Sequence, residues 1–493
     1  TKNSTMTESG NGDSYGTYDN VFFKDLPAEN YIGPACKFYG CWFENLYGSC
    51  FHASNAAGVY RNPFIMSGCY VKGVNKSTDV VAGHSESPFT MSAFPYNLTI
   101  TACHFEDGEE TIFGGVGNDN INILISNCTF KNFQGFFGTR TSTSVGFTTK
   151  AEVYKIDDCV FDNCGDFIII NTATKTVADG SAMNGFSFTN NTVFNGRFVL
   201  KHATNAVVKD NQFIYEEGRG TFTGFSEDVY VDFPCYIGIT GVDRLSFSDN
   251  RIEGPPTPNP FVEVGIYFPL EYDNNTTGRK RNTADGVVSS TYYPHGININ
   301  NNFVFGFTKG ISTRAGDIIN VNHEAVAVGW KITNNVIITD RSGTSDNTVG
   351  LCGEAGMELT HNTIYMTDNT GATQTSVGIW VLGLDSGTSD AQKYVGCIAT
   401  HNTVIGPCEN PIYVGSTTGD GNRCVANCIV QYNRAYGSTG GTIVNGPPAD
   451  SGSTQYQKSY IADNLNINSS ILPEFTLPEL PYIGGWQEDT NFY

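Results

Sequence analysis

Residues 188–213 read FTNNTVFNGRFVLKHATNAVVKDNQF, and they hold the same short phrase twice, FTNNTV at 188–193 and VKDNQF at 208–213. Each has a large apolar residue, two polar residues, an Asn, one variable residue and another apolar residue. The two asparagines, Asn191 and Asn211, lie 20 residues apart, about the length of one bare coil of three short strands. Outward from this pair the phrase recurs along the chain, as FYGCWF, MSGCYV, ITACHF, ISNCTF and IDDCVF before it and FSDNRI, INNNFV, ITNNVI, LTHNTI, ATHNTV, VQYNRA and IADNLN after it. Its fourth place is Cys41, Cys69, Cys103, Cys128 and Cys159, then Asn191, Asn211, Asn250, Asn302, Asn335, Asn362, Asn402, Asn433 and Asn464. Three residues earlier the side chain is large and apolar except at Ala399, and two residues later it is apolar except at Asn466.

A recurrence of this kind predicts an all-β right-handed parallel β-helix, a single solenoid of about 14 coils with long loops. One strand ends, the column residue turns a corner inward, and a second strand begins with its side chain again facing the core. Asn is read as suiting the corner because it tolerates the left-handed conformation, and stacked about 4.8 Å apart its amide bonds to the next. Cys at the same place is read as a small apolar residue in a drier column, a stack of thiols being simpler than disulfides between coils. Cys397 and Cys428 each lie five residues before a column Asn, so stacking accounts for them as well.

The steps between column residues range from 20 to 52, and the excess over a bare coil is assigned to loops. The largest excursions, 214–246 and 253–298, fall on adjacent coils. Residues 1–35 carry none of the fourteen column residues and are read as a leading segment or cap, 36–469 as the β-helix, and the Pro-rich, aromatic stretch 470–493 as a capping tail.

Composition agrees with many short strands: 55 Gly among 493 residues, 13% aromatic and only 16% charged. A formal net charge of -21 argues against nucleic acid or an anionic membrane surface and favours a neutral partner. No apolar run approaches the about 18 residues that span a bilayer, so membrane insertion is not expected. The chain opens at Thr1 without an initiator Met, which is read as a processed or truncated terminus. No HExxH or GxSxG motif is present, and no metal or cofactor is assigned.

An Asn column at one turn of a three-strand coil resembles the pectate-lyase-like superfamily of right-handed parallel β-helices, and most of all the tailspike depolymerases of bacteriophages. The resemblance covers about residues 36–470 and rests on architecture. The catalytic series of polygalacturonases and the clustered Asp calcium site of pectate lyases are not matched. What it implies is polysaccharide processing by an extracellular or virion-associated homotrimer.

Glycoside hydrolysis needs two carboxyl groups facing each other across the scissile bond. The stretch after Asn211 supplies Glu216, Glu217, Asp228 and Asp232 as candidate catalytic residues, with Tyr215, Phe225, Tyr230 and Tyr236 and, in the next loop, Tyr267 as platforms for sugar rings. A solvated acidic loop with its aromatics packed on its own base is the plainer account of the same residues. Lyase chemistry would instead need cations and a base. Aligning GFFGTR, GDFIIIN and GRFVLKH on their glycines puts Arg140, Ile170 and Lys201 at one level on consecutive coils, with His202 beside them. In a third reading the solenoid is a non-enzymatic fibre that only binds glycan. The carboxylate turn HFEDGEET, 104–111, is read as solvated rather than as a calcium site.

Overall fold

Each corner of the solenoid is made by two neighbouring residues with opposite tasks, and this differs from the sequence reading in one respect. The left-handed residue is not the column residue but the one before it: Asn20, Gly40, Gly68, Ala102, Asn127, Asp158, Asn190, Asp210, Asp249, Asn301, Asn334, His361, His401, Tyr432 and Asp463 have φ between 52° and 62°. That bend swings the next residue inward, so the column Asn sits in the core. The bend itself falls mainly to Gly, Asn and Asp, which reach this conformation at least cost.

The computed structural model describes residues 16–25, 36–46, 51–53, 63–74, 89–91, 96–108, 111–114, 120–133, 135–137, 151–164, 167–170, 183–201, 203–217, 235–240, 242–254, 264–268, 271–273, 279–281, 296–313, 329–339, 348–353, 356–367, 376–381, 384–385, 397–414, 423–424, 428–439, 444–445 and 460–467. They form strands and turns only, wound as a right-handed parallel β-helix. A first sheet of fifteen parallel strands, from Thr17–Asp19 to Tyr460–Ala462, carries the residues before the corner. A second sheet of fifteen, from Phe22–Lys24 to Leu465–Ile467, carries those after it. The third side has four strands, Phe51–Ala53 to Gly135–Phe137, and then nine, Phe167–Ile170 to Val444–Asn445.

There is therefore one coil more than the fourteen of the sequence reading, and it lies within the stretch 1–35. Val21 holds its column place, and Trp42 donates its amide to the Val21 carbonyl at 2.9 Å as Tyr70 does to Cys41. An apolar residue in the column carries no mark that separates it from ordinary strand sequence.

From Asn191 to Asn464 the column is an unbroken amide ladder. Each Oδ1 accepts from the Nδ2 of the preceding Asn, through eight links of 2.9 to 3.1 Å. It also accepts from that residue's backbone N–H, as Asn335 does from Asn302 at 2.9 Å. The second Nδ2 hydrogen goes to a first-sheet carbonyl of the preceding coil, Ile299 in the case of Asn335. Every polar atom of these buried side chains is thus satisfied.

At the other end of the column Cys41, Cys69, Cys103, Cys128 and Cys159 are free buried thiols, each pointing at the carbonyl two residues before it. The neighbouring thiol of Cys128 and burial push Cys103 up to about 12, so it stays a protonated packing residue. The two halves join where the Cys159 amide donates to Asn191 Oδ1 at 2.9 Å.

The third side has its own column. Gly265, Gly310, Gly350 and Gly378 lie level on successive coils. A Cβ on Gly350 would meet Ile364 Cγ2 at 2.3 Å and the Gly378 carbonyl oxygen at 2.7 Å, so only hydrogen fits between the third side and the second-sheet core. Gly350→Ala is expected to lower stability by about 1 to 3 kcal/mol, read as the midpoint of guanidinium unfolding.

Candidate functional site

The two long excursions divide differently from the sequence reading, because each contains a strand of the third side. The stretch 214–246 holds Cys235–Thr240 and most of Asp243–Ser248, leaving 218–234 outside the described residues. The stretch 253–298 holds Val264–Tyr267 and a small antiparallel pair in which Glu271 lies opposite Arg281 and Asp273 opposite Arg279.

These strands decide the fate of two expected sugar platforms. Tyr236 is wholly buried in the main core, its ring 5.6 Å from that of Phe307. Tyr267 is 5% exposed and packs with Cys235 and Val264 on the outer side of the same sheet. Neither presents a ring face to solvent, so both are packing residues here.

The root of the first excursion is built with care. Where the second-sheet strand Gln212–Ile214 ends, Asn195 of the preceding coil takes the place of a neighbouring strand. Its Nδ2 donates to the Glu216 carbonyl at 2.9 Å and its Oδ1 accepts from the Glu216 amide at 2.7 Å. From the next coil, the Glu253 carbonyl accepts the Tyr215 amide at 3.0 Å. Tyr215 and Glu216 are thereby held from both sides, with Tyr215 half-buried and the side chains of Glu216 and Glu217 exposed.

Glu253, level with Ile214 on the adjacent coil, is already engaged by Arg251, whose Nε and Nη2 reach its Oε1 at 2.6 and 2.5 Å. The remaining candidates, Asp228, Asp232, Phe225 and Tyr230, lie outside the described residues, as do Arg140 and His202. Lys201 ends the strand Phe198–Lys201, level with Ile170 before it and Thr240 after it, the register that aligning the glycines expects.

A second cluster, absent from the sequence reading, lies on the outer face of the second sheet near its N-terminal end. Tyr70 and His104 stack at 5.0 Å and 7° between ring planes. Glu106 is ion-paired with Lys72 and hydrogen-bonded to His104 Nε2 at 3.0 Å. Burial pushes its carboxyl up, but hydrogen bonds from Lys72, His104 and Tyr70 outweigh this and hold it at about 2. Asp107 accepts from Asn132 Nδ2 at 2.9 Å, so two carboxylates of the HFEDGEET turn are committed to protein partners; Glu109 and Glu110 lie outside the described residues. The signal was present in the phrases CWFE, CYVK and CHFE, where one outward place is aromatic or His and the other charged.

No protein-family model and no curated protein matches the sequence. Among solved structures the chain is similar to the Dettilon tailspike protein, with 13% identity, a TM-score of 0.31, and coverage of 84% of this chain and 67% of that one. It is similar to the PL6 family alginate lyase AlyGC, at 11% identity and a TM-score of 0.30 over 92% of this chain and 76% of that one. A third is the Azotobacter vinelandii mannuronan C-5 epimerase AlgE6 A-module, at 11% identity and a TM-score of 0.28 over 88% and 91% of the two chains.

Proposed function

We propose that this chain is a polysaccharide depolymerase, a glycoside hydrolase acting on a neutral bacterial surface glycan or similar polymer, working outside the cell or on a virion as a homotrimer. The observation that carries the reading is the clamp of Asn195 and Glu253 on the backbone of Tyr215 and Glu216. It fixes the backbone leading to the exposed side chains of Glu216 and Glu217, just beyond the end of the strand Gln212–Ile214. Irregular backbone held on a rigid scaffold in this way is where function concentrates.

In such a site one carboxylic acid protonates the departing glycosidic oxygen, while a second carboxylate activates water or attacks the anomeric carbon, according to their separation. The two carboxyl groups must face each other across the scissile bond, so the proposed pair joins Glu216 or Glu217 to Asp228 or Asp232. The formal charge of -21 favours a neutral substrate over an acidic one.

The second reading is a lyase with Arg140, Lys201 and His202, favoured by the register of Lys201 with Ile170. The third is a fibre that binds without cleaving. Incubation with a panel of bacterial and plant polysaccharides, following reducing ends together with absorbance near 235 nm, separates them. The hydrolase reading expects new reducing ends alone. Both signals together would mean a lyase, and binding with neither a fibre.

A further inference from the structure

We propose that the outer face of the second sheet carries a separate glycan-binding ribbon, formed by Phe22, Trp42 and Tyr70, which takes one strand of a neutral polysaccharide lying along the solenoid axis. The three residues follow the column position on successive coils and lie in register, with His104 next in line. Ring centroids are 6.2 Å apart from Phe22 to Trp42, 4.3 Å from Trp42 to Tyr70 and 5.0 Å from Tyr70 to His104. Tyr70 is held between Trp42 and His104, at 37° and 7° between planes, whereas Phe22 and Trp42 meet edge to face at 60° and keep most of the ribbon's exposed aromatic surface.

The stack does not require aromatic residues at this place. On the following coils it is filled by Thr129, Val160, Thr192 and Gln212. Phe22 is nevertheless 56% exposed and Trp42 44%, large apolar surfaces left to water and rimmed by polar groups, which is the mark of an interaction site.

The rim says what kind of ligand fits. Two residues further along each strand stand Lys24, Glu44, Lys72 and Glu106, alternating in sign from coil to coil. They neutralise one another, through Lys24 to Glu44 at 2.9 Å, Lys72 to Glu106, and Lys72 to Asp107 at 3.9 Å. The rim charges thus largely offset one another, and the ribbon offers hydrogen-bond donors and acceptors at every coil, as a row of sugar hydroxyls requires. Aromatic rings supply the apolar surface on which the C–H face of a pyranose rests.

Dimensions favour a glycan over a protein. Three coil steps and one strand repeat give a strip of roughly 14 Å by 7 Å. That is far below the about 800 Å² per partner of a stable protein contact. A glycan strand is itself one sugar wide and repeats at nearly the rise of a coil. Five coil steps, roughly 24 Å, separate Tyr70, the near end of the ribbon, from the coil of Asn211. It is thus an anchoring site that stands whether or not the hydrolase reading holds.

The test is calorimetric titration of the full chain with cellohexaose, maltohexaose and laminarihexaose, and of Trp42→Ala, Trp42→Phe and Tyr70→Ala variants with unchanged melting temperature. The proposal expects the parent to bind at least one hexaose, Trp42→Ala and Tyr70→Ala to weaken it by about tenfold or more, and Trp42→Phe to keep most of it. Adding Trp42→Ala to the double variant Glu216→Gln, Glu217→Gln should weaken binding by the same factor as it does in the parent, which separates failure of the ribbon from failure of the proposed cleavage site. No binding by the parent, or equal binding by Trp42→Ala, overturns the proposal. So does a parent oligomer that sediments as a monomer once Trp42 is replaced, which would make the strip a contact between copies.

Discussion

Asn335→Leu should lower the stability of the solenoid by about 3 to 5 kcal/mol, an effect larger than that of most single substitutions in a protein of any size. The side chain is fully buried and joined to four groups. Its removal leaves the backbone amide and Nδ2 of Asn302 without their acceptor, the Ile299 carbonyl without its donor, and Asn362 Oδ1 with one bond where it had two. Each orphaned buried group costs about 1 to 3 kcal/mol, partly offset by the apolar side chain that replaces the amide. Cys103→Ala is the internal contrast, since it removes a weak donor and a small volume and should cost only about 1 kcal/mol. Thermal melts of both variants check the pair. Equal and small shifts would mean that the amide ladder fills space without holding the coils together.

The second large effect concerns the proposed cleavage site. On a polysaccharide that the parent cleaves, replacing the acid or the base by its amide is expected to lower turnover at least about a hundredfold with folding intact, because the amide can neither give nor take the proton. The series is Glu216→Gln, Glu217→Gln, Asp228→Asn and Asp232→Asn, assayed as initial rates of reducing-end release at saturating substrate. Two of the four should be severely impaired, one of Glu216 and Glu217 and one of Asp228 and Asp232, and the others nearly normal. Four variants of full activity would make this root a wall or an interface, and would pass the lead to Arg140, Lys201 and His202.

The column, its spacing and its hydrogen bonding could be read from the chain because fourteen of the fifteen coils place an Asn amide or a thiol at one buried point. Such a group is conspicuous when its neighbours are apolar. The glycine alignment likewise gave the true register of Ile170 and Lys201. Less visible were features whose residues look ordinary, such as Val21 in the first coil, or the bend residue, which is Gly, Asn or Asp at eleven coils but His, Ala or Tyr at the others. The third side was hidden for a different reason. Its strands Val264–Tyr267, Thr348–Gly353 and Ser376–Val381 are buried on both faces, so they lack the alternation that announces a strand. Hence Tyr236 and Tyr267 were read as loop aromatics. Which carboxylates converge is harder still, since it depends on how excursions from neighbouring coils meet and leaves no period in the sequence.

The most direct test of the account is hydrogen exchange of the full chain with and without an oligosaccharide prepared from a polysaccharide that it cleaves, using the variant of the amide series that binds but no longer turns over. The account predicts new protection in peptides spanning 212–234, centred on the clamped amides of Tyr215 and Glu216, with the strand Phe198–Lys201 unchanged. Protection confined to that strand and to the residues around Arg140, with 212–234 exchanging as in the free protein, would contradict it.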